Sequence, residues 1–161
     1  MLTPTQALQR EKERDRLADT YLLLGQSRQG IRDWVRECAT VLLEPVGPLA
    51  DHPDFIQLDP EDIGVKGLKV EHVAQRKAEV DSLERLLRYR PALGSRRVCS
   101  LLDLQAMQQD AQGALLKTLE EPPEGTIFLL AATGTSAILS PILSRCRIMR
   151  LPQMEPSLSS Q

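Results

Sequence analysis

The sequence predicts an α/β domain of three layers, in which helices cover both faces of a five-stranded parallel sheet. Apolar runs and helical patterns alternate along the 161 residues. The apolar runs do not alternate regularly with polar residues, which is typical of strands buried on both faces. A chain of this length with 42% hydrophobic residues can bury one sizeable core. We therefore expect one domain over residues 1–152 and a short polar tail over 153–161.

Five apolar runs are expected to form the strands. They cover residues 21–24, 55–58, 98–102, 126–132 and 147–151. Gly25 follows the first run directly, and Asp103 follows the third. Because the carboxyl ends of parallel strands meet at one edge of the sheet, where such folds bind their ligands, both residues are candidates for a site there.

Helical periodicity predicts the segments between the strands. The predicted helices cover residues 5–17, 30–43, 69–89 and 110–120, with a short helical turn over 136–139. Thr3 is the expected N-cap of the first helix, with Pro4 at its first position. The helix over 69–89 is expected to be long and amphipathic, and Pro122 and Pro123 terminate the fourth.

Composition excludes several classes of protein. The net charge is −2 and the pI is near 5.7, so no basic field draws the chain to nucleic acid, and contact with DNA is expected only indirectly. The cysteines, Cys38, Cys99 and Cys146, are far apart and form no C-x-x-C pair, so no metal site is expected. No run of about 18 apolar residues is present, and we expect a cytoplasmic protein with no membrane partner.

The loop after the first predicted strand retains the spacing of a phosphate-binding loop but not its chemistry. Gly25 and Gly30 preserve the pattern G-x-x-x-x-G. Ile31 stands where the phosphate-contacting lysine belongs, and Arg32 stands where a serine or threonine would hold magnesium. The residues leave three interpretations open: a structural turn, nucleotide binding with Arg28 or Arg32 as a substitute cation, and hydrolysis.

Asp103 has a similar ambiguity. An acidic residue at the end of a buried strand can hold magnesium, but a following glutamate is then needed to position water. Leu104 occupies that next position. Asp103 is therefore interpreted as a helix cap or loop residue in preference to a metal ligand.

The segment Ser144-Arg145-Cys146 lies just before the last predicted strand, where Arg145 could project from the edge of the domain. An arginine donated to a neighbouring subunit's nucleotide can raise turnover by about 10³ to 10⁵, because it neutralises charge on the transferred phosphoryl group. A surface arginine is ordinarily a solvated charge or a weak ion pair. From the residues alone, both interpretations of Arg145 stay open.

Three motifs occur in a fixed order: ALLKTLEEPP at 114–123, FLLAAT at 128–133 and ILSRC at 142–146. Together they closely resemble the AAA+ domain of bacterial clamp-loader subunits of DNA polymerase III. A weaker similarity extends from Arg16 to Pro152. The degenerate phosphate loop resembles that of the delta-prime subunit, which does not hydrolyse ATP, more than those of the gamma/tau motor subunits.

The resemblance implies a non-catalytic subunit of the DNA polymerase III holoenzyme that supports sliding-clamp loading in DNA replication. It implies that Arg145, with Ser144 and Cys146 beside it, acts as an arginine finger on the ATP of a neighbouring subunit. It also implies a vestigial nucleotide site, without a cofactor, formed by Gly25, Arg28, Gly30, Arg32 and Asp103. The implied partners are a gamma/tau-like ATPase and a delta-like subunit.

The sequence departs from the family in two further respects. Delta-prime proteins commonly carry a four-cysteine zinc module after the first helix of the domain, but only Cys38 remains here, so no zinc is expected. The family continues into a helical lid and a collar domain, which we expect to be absent from this chain. Two alternatives therefore stay open: a stand-alone AAA+-derived interaction module in replication or repair, and a weak ATPase that uses Arg28 or Arg32.

Overall fold

The computed structural model describes residues 2–152, so the predicted polar tail at 153–161 lies outside the described residues. A parallel sheet of five strands runs through this part of the chain, in the order β2-β3-β4-β1-β5. The strands are β1 (Thr20–Leu24), β2 (Phe55–Leu58), β3 (Arg97–Leu101), β4 (Thr126–Ala132) and β5 (Arg147–Arg150). The predicted α/β class, the parallel sheet and all five predicted strands are confirmed.

Burial explains why the strands could be recognised from the sequence. Every residue of β1, β3 and β4 is buried, and most of their side chains on both faces are apolar. In the centre of the sheet, Leu22 of β1 pairs in register with Leu130 of β4. β5 lies at one edge beside β1, and it is largely exposed.

Seven α-helices cover the sheet within residues 2–152, and two short 3-10 helices lie over Leu49–Asp51 and Leu104–Ala106. The α-helices are α1 (Pro4–Glu13), α2 (Arg28–Leu43), α3 (Pro60–Ile63), α4 (Val70–Val73), α5 (Leu83–Leu86), α6 (Gln109–Glu120) and α7 (Ser140–Leu143). Thr3 forms the predicted N-cap of α1, and Gln6 completes a capping box with it. α1 ends at Glu13 and does not continue to Leu17, because Asp15 adopts a left-handed backbone with φ of 52°.

The prediction of one long helix over 69–89 is wrong. The chain forms two four-residue helices there, α4 and α5, separated by an irregular segment. The side chain of Gln75 holds that segment, since it accepts a hydrogen bond from Ser82 Oγ (2.7 Å) and donates one to the carbonyl of Lys77 (2.6 Å). Ser82 is buried and its Oγ accepts from the amide of Arg85 (3.2 Å), so it starts α5 as an N-cap.

The predicted helical turn over 136–139 is a single hydrogen-bonded turn, in which the amide of Ile138 donates to the carbonyl of Thr135 (3.0 Å), and the helix itself lies four residues later, at α7. The buried side chain of Gln112 fixes the segment before it. Gln112 donates to the carbonyl of Ala137 (2.8 Å) and accepts from the amide of Leu139 (2.8 Å). These bonds satisfy backbone groups that a helix would otherwise pair. α7 then begins at Ser140, with Pro141 in its first turn at a position that needs no amide donor.

The core consists of two apolar clusters, one on each face of the sheet. One cluster packs residues of α4, α5 and α6 against the sheet, and the other packs residues of α1 and α2 against the opposite face. Alternate residues of a strand supply the two clusters, as Leu22 and Leu23 do.

Between residues 2 and 152, no helix combines the length and the apolar character that a membrane span requires.

Candidate functional site

The predicted nucleotide site lies at the edge of the sheet where β1, β2 and β3 end. Gly25 follows β1, and Asp103 lies two residues beyond β3. α2 begins at Arg28, so the connection between β1 and α2 is only Gly25, Gln26 and Ser27. Gly30 and Arg32 therefore lie within the helix, and the expected start of that helix at Gly30 is two residues too late.

The early start of α2 occupies an amide that a phosphate-binding loop would offer to an anion. Ser27 is the N-cap of α2, and its Oγ accepts a hydrogen bond from the amide of Gly30 (3.0 Å). The carbonyl of Ser27 accepts from the amide of Ile31 (3.0 Å). With the first turn of the helix capped by its own chain, the amides of Gly30 and Ile31 are already hydrogen-bonded within the protein.

Gly25 has a packing role at this position. A Cβ atom on Gly25 would lie 2.7 Å from Cγ1 of Ile31 and 3.2 Å from Cδ1 of Leu151. Ile31 is buried in the core cluster of α2. The residue that replaces the expected lysine thus points into the protein interior, and the glycine lets its side chain approach the backbone.

Arg28 contacts three carboxylates at this edge. Its Nε donates to Oδ2 of Asp103 (3.0 Å), one Nη donates to Oε2 of Glu61 (2.6 Å) and the other Nη contacts Oδ1 of Asp59. Burial alone lowers the pKa of Arg28, but hydrogen bonds and charge from Asp103 and Asp59 outweigh it and hold that pKa above its ordinary value. The guanidinium is therefore firmly charged and already neutralised.

Arg32 is also paired with carboxylates. Its Nη1 lies 2.5 Å from Oδ2 of Asp59 and 3.3 Å from Oδ1 of Asp62. The two arginines thus share Asp59, whose side chain is fully buried between them. We call Arg28, Arg32, Asp59, Glu61, Asp62 and Asp103 the arginine–carboxylate cluster. It holds two cations against four carboxylates, so a phosphate group there would meet an excess of negative charge.

Three of these carboxylates, Asp59, Glu61 and Asp62, were missed by the sequence analysis. A signal was present, since the acidic run DPED at 59–62 follows the strand FIQL directly. β2 lies beside β3 in the sheet, and the carboxyl ends of both strands meet at one edge. Asp103 has a left-handed backbone, with φ of 57°, and it occupies the N-cap position of a short 3-10 helix, Leu104–Ala106. Its side chain makes no capping bond there and pairs instead with Arg28.

A groove of about 360 Å³ lies on the other side of Gly25, beside the ends of β1, β4 and β5. Gln26, Thr133 and Gly134 line it, together with Arg150. The amide of Thr133 donates to the side chain of Gln105 (3.2 Å).

Throughout residues 2–152, no three His, Cys, Asp or Glu side chains are arranged to hold a metal ion.

The segment Ser144-Arg145-Cys146 lies at the opposite edge of the sheet. It follows α7 and precedes β5, so it is at the amino end of that strand. Arg145 is exposed, and its one ion pair within the described chain is a contact of 3.5 Å with Oε2 of Glu120, itself about half exposed. A contact of this length between exposed groups contributes little to stability.

The two neighbours of Arg145 fix the backbone from which it projects. Ser144 Oγ donates to the carbonyl of Pro141 (2.9 Å), and Cys146 Sγ donates to the carbonyl of Ile142 (3.1 Å). Burial raises the pKa of Cys146 to about 11, so its thiol stays protonated as a donor near neutral pH. The four residues of β5 separate Arg145 from the carboxyl edge by about 13 Å, so this arginine does not reach the arginine–carboxylate cluster of its own chain.

Comparison with known proteins gives consistent results. The family model for the DNA polymerase III delta subunit matches residues 49–155. Subunit delta' of Yersinia pestis is 38% identical over 125 residues, which is 77% of this chain and 33% of that protein. Subunit delta' of Pseudomonas aeruginosa is 34% identical over 113 residues, which is 68% of this chain and 30% of that protein. The chain thus spans about a third of the length of these relatives.

Solved structures agree on the fold. A gamma-subunit-related protein of DNA polymerase III from Thermotoga maritima superposes with a TM-score of 0.74 at 24% identity, over 95% of this chain and 46% of that one. RuvB from the same organism superposes with a TM-score of 0.59 at 16% identity, over 90% of this chain and 41% of that one. The fold is therefore that of AAA+ proteins.

Proposed function

The chain belongs to the DNA polymerase III delta-subunit family, and from that premise we propose that it is a non-catalytic, delta-prime-like clamp-loader subunit in DNA replication. In this role it supports the loading of a sliding clamp and contributes Arg145 to the ATP site of an adjacent ATPase subunit. Its partners are a gamma/tau-like ATPase and a delta-like subunit, and it belongs to the DNA polymerase III holoenzyme.

The main support for the non-catalytic assignment is the excess of carboxylates over arginines in the arginine–carboxylate cluster. An ATPase needs unneutralised cations for the phosphates and a hydroxyl or carboxylate free to hold magnesium. Here Arg28 and Arg32 are bound to four carboxylates, and Ser27 is engaged as a helix cap. Binding a triphosphate would require breaking these pairs while leaving Asp59 buried, which is costly. Gly25, Gly30 and Asp103 are thus retained as structural elements of a vestigial site.

The finger assignment rests on where Arg145 lies. The residue is exposed at the edge of the sheet opposite the arginine–carboxylate cluster, and its ion pair with Glu120 is weak. The bonds of Ser144 and Cys146 hold its backbone in place without occupying its guanidinium. An arginine presented in this way can enter a neighbouring subunit at little cost and place its planar fork of donors on a phosphate.

The test is a clamp loader reconstituted from the ATPase subunit, the delta-like subunit and this chain, with DNA-stimulated phosphate release as the measurement. Arg145→Ala should lower turnover at the adjacent ATP site by about 10³-fold or more, the range measured for other trans-acting arginines. Arg145→Lys should not restore it, because lysine lacks the bidentate fork. An unchanged rate, with the variant subunit shown to be bound, would disprove the finger role.

Two control variants separate this role from a structural one. Glu120→Gln removes the ion-pair partner of Arg145, and the rate should be unchanged because only a weak exposed contact is lost. Arg14→Ala removes an exposed arginine from the end of α1 and should also leave the rate unchanged.

Calorimetry with Mg-ATP tests the non-catalytic assignment. Tight magnesium-dependent binding of ATP by the chain alone would contradict that assignment.

A further inference from the structure

The segment over residues 87–97, LRYRPALGSRR, carries an unusual combination of exposed side chains. We call it the arginine–tyrosine loop. It leads into β3, of which Arg97 is the first residue, and it lies at the amino edge of the sheet. Tyr89 and Leu93 are 75% and 70% exposed, and Arg88 and Arg90, which flank the tyrosine, are also exposed. An aromatic ring between two solvated arginines contributes little to the core and is free to contact a ligand.

The backbone of this loop is held in shape by two buried charged residues. The carboxylate of Asp54 accepts the amides of Ala92 (2.5 Å) and Leu93 (2.8 Å). The guanidinium of Arg97 donates to the carbonyl of Tyr89 and to Thr126 Oγ1 (3.1 Å). Asp54 and Arg97 are 2% and 3% exposed, so each is buried at a cost that its hydrogen bonds offset. The loop is therefore preorganised, and its exposed side chains start from fixed backbone positions.

The loop also lines a cavity of about 410 Å³, which is large enough for a small ligand. Its wall includes Arg88, Tyr89, Arg90 and Arg97, and within residues 2–152 Glu124 is the one acidic residue that lines it. In the described part of the chain, none of these three arginines pairs with a carboxylate, and the Nε of Arg97 is buried without a hydrogen-bond partner. The cavity therefore has an excess of positive charge, whereas the arginine–carboxylate cluster has an excess of negative charge.

We propose that the arginine–tyrosine loop binds single-stranded DNA, with a base stacked on Tyr89 and the adjoining phosphates contacted by Arg88 and Arg90. Stacking platforms flanked by cations are how proteins hold single strands without reading their sequence. The exposed aromatic between two arginines favours a nucleic acid over an acidic peptide, because a base can stack on the ring while the arginines contact its phosphates. This contact goes beyond the proposed function, which has this chain touch DNA only through its partners.

The test uses the full chain and a fluorescein-labelled strand of thymidines, with fluorescence anisotropy as the measurement. Tyr89→Ala should weaken binding at least about fivefold, the lower end of what one stacked base contributes. Tyr89→Phe should retain the affinity, because phenylalanine stacks equally well. Arg88→Ala with Arg90→Ala should weaken binding and reduce the slope of log K against log salt by about 1.4, from two lost single-strand phosphate contacts.

The matched control is Arg10→Ala with Arg14→Ala, which removes two exposed arginines from α1 and changes the net charge equally. It should bind the strand as the unchanged chain does. The proposal is refuted if Tyr89→Ala binds normally, if the control loses as much affinity as the loop variant, or if an oligoglutamate of equal charge displaces the DNA as well as an unlabelled strand does. Because the assay contains no ATPase, its failure would leave the role of Arg145 untouched.

Discussion

Replacing Asp59 with asparagine should destabilise the domain more than any other single charge change in the arginine–carboxylate cluster. Asp59 is fully buried, accepts from Arg28 and Arg32, and caps α3 through the amide of Glu61 (3.0 Å). Asparagine keeps the volume and an oxygen for the cap, but it removes the charge and one charge-assisted acceptor.

The magnitude follows from these contacts. Charge-assisted hydrogen bonds contribute about 1.5–3 kcal/mol each, and breaking a fully buried ion pair costs about 3–5 kcal/mol. The side chains of Arg28 and Arg32 are 31% and 25% exposed and keep other carboxylates, so solvent offsets part of the loss. We therefore expect Asp59→Asn to cost about 2–3 kcal/mol, a fall of about 4–12 °C in Tm for a domain of this size.

The assay is urea unfolding followed by far-UV circular dichroism, with Asp62→Asn as the matched control. Asp62 is half exposed and contacts Arg32 at 3.3 Å, so its loss should cost less than about 0.5 kcal/mol. If Asp59→Asn lowered the free energy of unfolding by no more than Asp62→Asn does, the buried carboxylate would not be holding the two arginines. The account of the vestigial site would then fail.

Two further predictions concern folding. Gly25→Ala should cost about 1–3 kcal/mol in urea unfolding, because its Cβ would lie 2.7 Å from Cγ1 of Ile31. Ile31→Ala removes that Cγ1 atom, so the double variant should lose less stability than the two single variants together, and additive losses would show that this contact is not the cause. Burial, then the hydrogen bond to Glu11, raises the pKa of Tyr21 to about 12. The unfolded chain loses this proton near pH 10 and the folded chain holds it, so stability should fall as pH rises from about 10 to 12. Tyr21→Phe should flatten that decline in pH-dependent urea melts, and an unchanged slope would show that Tyr21 does not cause it.

Much of the fold could be predicted from local patterns. The strands were recognised because both faces of a parallel sheet are buried, which forces uninterrupted apolar runs such as residues 126–132. The N-cap of α1 was recognised because Thr3 and Pro4 satisfy the helix start with groups that are adjacent in sequence. Helix periodicity failed over 69–89, where Gln75 bonds to Ser82 and stops the helix through a contact that the apolar spacing does not encode. The pair Asp81-Ser82 lies within this segment, and both residue types are common helix N-caps, so the start of a second helix could have been predicted there.

The sequence by itself determined the α/β class, the positions of the strands, the family resemblance and the loss of the lysine and hydroxyl from the phosphate loop. Only the tertiary structure decided what the arginines do. Asp59 lies 27 positions from Arg32, and Asp103 lies 75 positions from Arg28, yet β2, β3 and α2 bring them to one edge of the sheet. The same holds for Asp54, which fixes the arginine–tyrosine loop from 38 residues away. Electrostatic interactions depend on distance in space, and the pairing of strands sets that distance.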